Sequence, residues 1–237
     1  MQRPNFREGE VFLLDKPLDW TSFNVVSSIR YQMKKVTGMK RNKVGHAGTL
    51  DPLATGLLII CTGKSTKQIE KYQAQVKEYT GTFLLGATTP CFDREQEEDQ
   101  SFPTEHITTE MIKDAAIHFT GVQEQIPPVF SAIKIKGKRA YDYARNNEEV
   151  VIKPKTIEIM EFEITDIRMP EIDFKVVCSK GTYIRSLARD FGIKLNSGAY
   201  LTALRRTKIG EFSVDDALTP QEFKKKMHGF FPDILHA

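Results

Sequence analysis

Long apolar runs are missing from this 237-residue chain. The longest clean one, Leu57 to Cys61, is far too short to cross a bilayer, which takes about 20 apolar residues. Met1 to Glu10 is polar and charged and lacks the apolar stretch of a secretory signal, so a cytoplasmic protein with no membrane partner is expected. Cysteine is scarce. Cys61, Cys91 and Cys178 are odd in number and widely spaced, which implies neither a disulfide framework nor a zinc site, and free thiols are expected. Acid is missing from the twenty residues before Asp51. Internal repeats are absent as well.

What is present is an ordinary globular composition, 40% apolar and 27% charged, which excludes a disordered or fibrous chain. The length suits one large domain or two small ones with a sizeable core. Net charge is only +3, but the bases are clustered. Arg30, Lys34, Lys35, Lys40, Arg41 and Lys43 lead into Asp51. Lys134, Lys136, Lys138, Arg139 and Arg145 form a second group, and Arg205, Arg206 and Lys208 a third. Each alone reads as a solvated face; together they suit a phosphate backbone.

Periodicity and punctuation give a coarse map. Glu10 to Leu14 reads as a strand, and Thr21 or Ser22 caps a helix carrying Val25, Val26, Ile29 and Met33 on one face. Thr37 to Leu50 reads as a basic loop, Leu57 to Cys61 as a buried strand, Ser65 to Tyr72 as a helix and Lys77 to Gly86 as a strand. The acid-rich run Asp93 to Asp99 reads as an exposed loop. Thr108 or Thr109 opens a helix reaching about Phe119; two prolines keep Gln125 to Pro128 irregular. Ile152 to Ile167 and Ile172 to Cys178 are β-rich, Gly181 to Leu195 is helical, and Leu201 to Phe212 is a further strand region. Without regular βα alternation, the class is α+β with a mixed or antiparallel sheet.

Chemistry concentrates in Lys43-Val44-Gly45-His46-Ala47-Gly48-Thr49-Leu50-Asp51-Pro52-Leu53-Ala54-Thr55-Gly56-Leu57-Leu58. Glycines permit a tight turn and close approach to a ligand, and Pro52 fixes the chain after the acid. An Asp-Pro pair commonly just starts a turn; a lone aspartate on so rigid a turn also suits a group that must be aimed. His46 has no second His or Cys at ligand spacing, so metal binding is not expected. Thr62-Gly63-Lys64-Ser65 imitates a phosphate-binding loop, but the glycine needed five positions before Gly63 is Leu58. Nucleotide hydrolysis is set aside.

Two more strings stand out. Cys178-Ser179-Lys180-Gly181-Thr182-Tyr183-Ile184-Arg185-Ser186-Leu187-Ala188 runs from a strand through a glycine turn into a helix, setting Tyr183 and Arg185 near its N-terminus. Gln125-Ile126-Pro127-Pro128-Val129-Phe130-Ser131-Ala132-Ile133-Lys134, continuing to Tyr141-Asp142-Tyr143-Ala144-Arg145, interleaves aromatics with bases. That pattern fits a packed hairpin or an RNA-gripping element.

In order and spacing, from about Leu13 to Phe212, these strings resemble the TruB family of tRNA pseudouridine synthases. The resemblance implies an α+β, pseudouridine-synthase-like catalytic domain with a mixed, largely antiparallel sheet flanked by helices. It implies one domain over 1–237, with a thumb-like RNA-binding insertion around 122–150. The family's nucleophilic aspartate falls on Asp51, and the arginine that keeps it ionised on Arg185. Tyr79, in Lys77-Glu78-Tyr79, matches a catalytic tyrosine that stacks on the base. His46, Tyr183 and Leu204 match substrate contacts, Leu204 as an apolar wall. Lys43, Lys134 and Lys136 are expected on the RNA backbone.

The implied substrate is the T-arm stem-loop of tRNA, modified at uridine 55 after base flipping, with no metal or other cofactor and no guide RNA. A monomer is expected. Only about twenty-five residues follow Phe212, too few for the PUA domain of many family members. Two rivals share the strings: a guide-RNA-dependent, dyskerin-like synthase, and a non-catalytic tRNA-binding or folding helper. A glycoside hydrolase fits poorly, lacking an obvious second carboxylate near Asp51.

Overall fold

In the computed structural model, residues 3–39, 42–131, 133–135, 137–140 and 150–232 are described. They form two compact units, one from the described residues up to 78 and from 205 onward, the other from those between 79 and 204.

The first unit is organised by β3 (Ala54–Thr62), whose apolar run is buried on both faces. Its alternate residues feed two cores. Leu58 and Ile60 join Val25, Val26, Ile29, Met33, Phe223 and Met227. Leu57, Ile59 and Cys61 join Ala47, Tyr72 and Ile209. β1 (Val11–Lys16) pairs antiparallel with β3 from Val11↔Cys61 to Lys16↔Gly56. β2 (Val44–His46) pairs with its end. On the other side of β3 lies β12 (Ala199–Ile209), followed by β13 (Phe212–Ser213).

Both long helices of this unit are fixed by their ends. Helix α1 (Ser22–Thr37) has a reciprocal cap between Thr21 and Asn24, Lys34 and Lys35 in its last turn, and Gly38 closing it at φ 69°. The C-terminal helix Pro220–Phe230, α5 below, has a capping box of Thr219 and Glu222, with proline in its first turn. Phe223 of α5 meets Phe12 edge to face at 5.0 Å. Two sequence expectations shift here. The basic loop contains β2, and the helix expected from Ser65 opens as a 3-10 helix (Gly63–Gln68) before α2 (Ile69–Ala74). A Cβ at Gly63 would lie 2.3 Å from the Phe6 carbonyl oxygen, so the turn that imitates a phosphate loop is filled by backbone.

The second unit has strand order β12–β4–β11–β10–β7, with β4 Lys77–Leu85, β11 Glu171–Cys178, β10 Lys155–Arg168 and β7 Gly121–Gln125. β10 pairs antiparallel with both β11 and β7. Its core is aromatic: Phe83 lies 4.2 Å from Phe174 and 5.5 Å from Phe191, ring centre to ring centre. Phe162 packs on all three. Helix α3 (Thr109–His118), capped by Thr108, buries Ile112, Ala115 and Ala116. Helix α4 (Ile184–Lys194) buries Ile184, Leu187, Ala188 and Phe191. Short pairs β5 (Ala87–Thr88) with β6 (Gln100–Ser101), and β8 (Lys134–Ile135) with β9 (Lys138–Arg139), complete it. The class is α+β, as the element order indicated. Among the described residues no helix is long and apolar enough to cross a membrane.

Candidate catalytic site

Asp51 sits half-buried between β2 and β3 on a turn whose backbone is held at nearly every step. The Gly48 carbonyl accepts from Arg206 Nη2 at 3.1 Å. Ser22 Oγ holds Leu50 by both polar groups, accepting from its N–H at 2.8 Å and donating to its carbonyl at 3.1 Å. Asp51's own carbonyl accepts from the Ala54 N–H. The Pro52 carbonyl accepts from Lys16 Nζ at 3.1 Å and from the Asp19 N–H at 3.0 Å. With these groups paired, the Asp51 Cα–Cβ direction is set by structure behind the turn.

Two buried cations do much of this holding, and sequence reasoning assigned neither to the site. Lys16 is fully buried at the end of β1, donating to the Pro17, Trp20 and Pro52 carbonyls. Burial pushes its ammonium down to about 8, against the attraction of Asp51 and Asp19. Arg206, expected on a solvated basic face, is 1% exposed; its Nε donates to the Leu57 carbonyl at 2.8 Å. Its neighbour Arg205 forms a two-pronged pair with Asp15, at 3.0 and 2.7 Å. Alternation along β12 separates the two roles. The signal available in sequence was the Asp15-Lys16-Pro17 strand end.

His46, in β2, is half-buried, and burial followed by the Arg206 charge lowers its pKa, which keeps the ring neutral near pH 7. Its Nδ1 is buried with no hydrogen-bond partner among the described residues. Lys43 is exposed just before β2.

The other predicted residues belong to the second unit. Tyr79 is buried on β4 and Leu204 half-buried on β12. Tyr183 is the N-cap of α4 and Arg185 its second residue, as the glycine turn suggested; Gly181 sits in that turn at φ 81°. Arg185 is 6% exposed. Its Nη1 donates to the Cys91 carbonyl at 3.2 Å and its Nη2 to the Phe130 carbonyl at 2.9 Å. Its Nε lies 3.4 Å from Asp93 Oδ2, whose side chain is 5% exposed.

Asp93 corrects the sequence reading. Residues 94–99 are exposed as expected, but Asp93 is buried. Thr89 Oγ1 donates to its carbonyl, and Asp93 Oδ1 accepts from the Glu95 N–H. Lys134 lies in β8, and of the expected insertion β7, β8 and β9 are described. Lys136 and residues 141–149 lie outside the described residues.

The arrangement offers one aimed carboxylate over buried cations in the first unit, and a fixed guanidinium at a helix start in the second. Residues 34–184 match the model of the TruB family pseudouridylate synthase (N terminal domain), and residues 185–230 that of the tRNA pseudouridylate synthase B C-terminal domain. A tRNA pseudouridine synthase B of Phocaeicola vulgatus is 59% identical over 219 residues, covering 92% of this chain and 93% of that protein. One of Flavobacterium johnsoniae is 55% identical over 228 residues, covering 96% and 100%. A solved Cbf5-Nop10-Gar1 complex contains a chain superposing with TM-score 0.72 at 28% identity over 96% of this chain. This chain spans 56% of the length of that one. The fold is that of the pseudouridine synthases, and the chain belongs to the TruB family of tRNA pseudouridine synthases, which are isomerases.

Proposed function

We propose that this enzyme converts uridine 55 in the T loop of tRNA to pseudouridine, with Asp51 acting on the flipped nucleotide. The observation that carries the reading is the Asp51 turn, whose carbonyls at Gly48, Leu50, Asp51 and Pro52 are all engaged. A reacting group held so firmly needs little reorganisation at the moment of reaction.

The reaction breaks the C1′–N1 bond, turns the uracil and joins C5 to C1′; the hydrogen leaves C5 and N1 regains one, so the product is an isomer. Asp51 serves either by attacking C1′ as a nucleophile or by taking a proton from the ribose. Arg185 keeps that carboxylate ionised. Tyr79 and Leu204 flank the uracil, and Tyr183 and His46 contact the RNA. A neutral His46 ring suits a polar group of the nucleic acid better than a phosphate charge. Lys43, Lys134 and Lys136 lie along the phosphates. Water must be kept from the detached sugar, because hydrolysis would leave an abasic site.

The enzyme works on free tRNA as a monomer, without a guide RNA or a cofactor. Relatives more than half identical over nearly their whole length are named tRNA pseudouridine synthase B, which favours this reading over a multi-protein assembly such as the Cbf5-Nop10-Gar1 complex. The test is to incubate pure protein with unmodified tRNA and map the product. Pseudouridine at position 55 without additions supports the reading; modification at another uridine, or a requirement for a second RNA, overturns it.

A further inference from the structure

We propose that Gln125 is a positioning residue for the reaction, its carboxamide holding Tyr183 by both backbone polar groups and thereby setting the first turn of α4, which carries Arg185. The inference rests on the reading above, in which Arg185 keeps Asp51 ionised.

Gln125 ends β7 and is 3% exposed. Its Nε2 donates to the Tyr183 carbonyl at 3.1 Å, and its Oε1 accepts from the Tyr183 N–H at 2.8 Å. One side chain thus imitates a rung of a β-ladder. It does so at the N-cap of α4, where no side chain caps the helix. Helix N-termini leave backbone groups without helical partners, so the approach of the chain to α4 has to be fixed from outside.

The residues after Gln125 extend the clamp. The Ile126 carbonyl accepts from Ser186 Oγ at 2.8 Å and from Arg189 Nη2 at 3.2 Å. The Phe130 carbonyl takes the Arg185 guanidinium at 2.9 Å. Pro127 and Pro128, between them, stiffen the strap and donate nothing from their own nitrogens. Arg185 is therefore aimed by the turn it stands on and by the strap it touches, and Gln125 ties the two together. The role demands a donor and an acceptor at the tip of one side chain, which glutamine has and ionised glutamate lacks.

The experiment compares Gln125→Ala, Gln125→Glu and Arg185→Lys in single-turnover pseudouridine formation and in tRNA binding. Gln125→Ala should slow turnover roughly ten- to a hundredfold, the effect of misplacing a reacting group by a fraction of an ångström to an ångström. Its tRNA Kd should stay within about twofold of wild type, because phosphate contacts carry the affinity. Gln125→Glu should be slow at neutral pH, where a carboxylate cannot donate to the Tyr183 carbonyl. Its rate relative to wild type should rise as pH falls and the carboxyl regains its hydrogen, a profile that a merely space-filling side chain would not produce.

A wild-type rate in Gln125→Ala overturns the proposal, as does a flat pH ratio for Gln125→Glu, which decides alone if the alanine variant does not fold. Slow Arg185→Lys beside Gln125 variants at the wild-type rate overturns this proposal only. A wild-type rate in Arg185→Lys overturns the reading of Arg185 and this proposal with it.

Discussion

The ammonium of Lys16 donates to the carbonyl of Pro52, the residue directly after Asp51, at 3.1 Å. A buried cation is thus joined to the candidate catalytic turn through its backbone, and the Asp51 charge in turn favours the protonated form of Lys16. The lysine supports the carboxylate through the backbone, its ammonium donating to the Pro17, Trp20 and Pro52 carbonyls.

Lys16→Met keeps the length of the side chain and removes the ammonium donor from the Pro17, Trp20 and Pro52 carbonyls, of which Pro52 keeps the Asp19 N–H. It should cost about 1–3 kcal/mol of stability and slow turnover by loosening the Asp51 turn. The pH dependence has a definite sign. The folded-state pKa, about 8, lies below the ordinary 10.5, so between these values the unfolded chain binds more protons at this group. Its contribution to stability therefore rises with pH through that window. Urea unfolding of both proteins at about pH 7.5 and about pH 9.5 should show wild type gaining on the variant. A pH-independent gap would contradict the burial of that charge.

Gly56→Ala should be strongly destabilising. Gly56 has φ 103°, and a Cβ there would lie 2.3 Å from the Arg206 carbonyl oxygen, on backbone that cannot step aside. The expected loss is about 3 kcal/mol or more, read from denaturant melts. An unchanged melting curve would mean that β3 and β12 do not approach so closely at Gly56.

Asp93→Ala removes a buried carboxylate from beside the Arg185 guanidinium and takes the acceptor from the Glu95 N–H, which should cost about 1–3 kcal/mol. Turnover should fall with it, whereas Asp93→Asn, which keeps the acceptor for the Glu95 N–H, should be milder in stability. Equal stability of wild type and Asp93→Ala would show that the pair at 3.4 Å contributes nothing.

How far the chain could be read in advance depended on where the information lay. Local signals carried well: Thr21 opened α1 as its spacing required, the buried run placed β3, and Gly181 delivered Tyr183 and Arg185 to the start of α4. Misjudgements came where burial is decided by residues far away in sequence. Asp93 looked like the first acid of a solvated run because its partner Arg185 comes much later in the chain. Arg206 looked like surface charge because the carbonyls of Gly48 and Leu57 that satisfy it carry no side-chain signature. The three-residue β2 escaped notice because so short a strand, with glycine and histidine for two of its residues, has no period to detect.

RNA recognition should rest on phosphates and a compact stem-loop. An isolated T-arm hairpin should be modified nearly as well as whole tRNA, and binding should weaken steeply with salt as counterions are released. Combining Lys134→Glu and Lys136→Glu should weaken all hairpins alike and flatten the salt slope. Near-zero turnover on the hairpin, or salt-insensitive binding, would move the recognition surface elsewhere.

The most direct measurement is Asp51→Asn, which keeps the side-chain shape and removes its charge and nucleophilicity. Single-turnover assays on unmodified tRNA, run beside equilibrium binding, separate the two functions. Affinity for tRNA should stay close to wild type, with pseudouridine formation abolished. Substantial pseudouridine formed by Asp51→Asn would contradict the role given to Asp51.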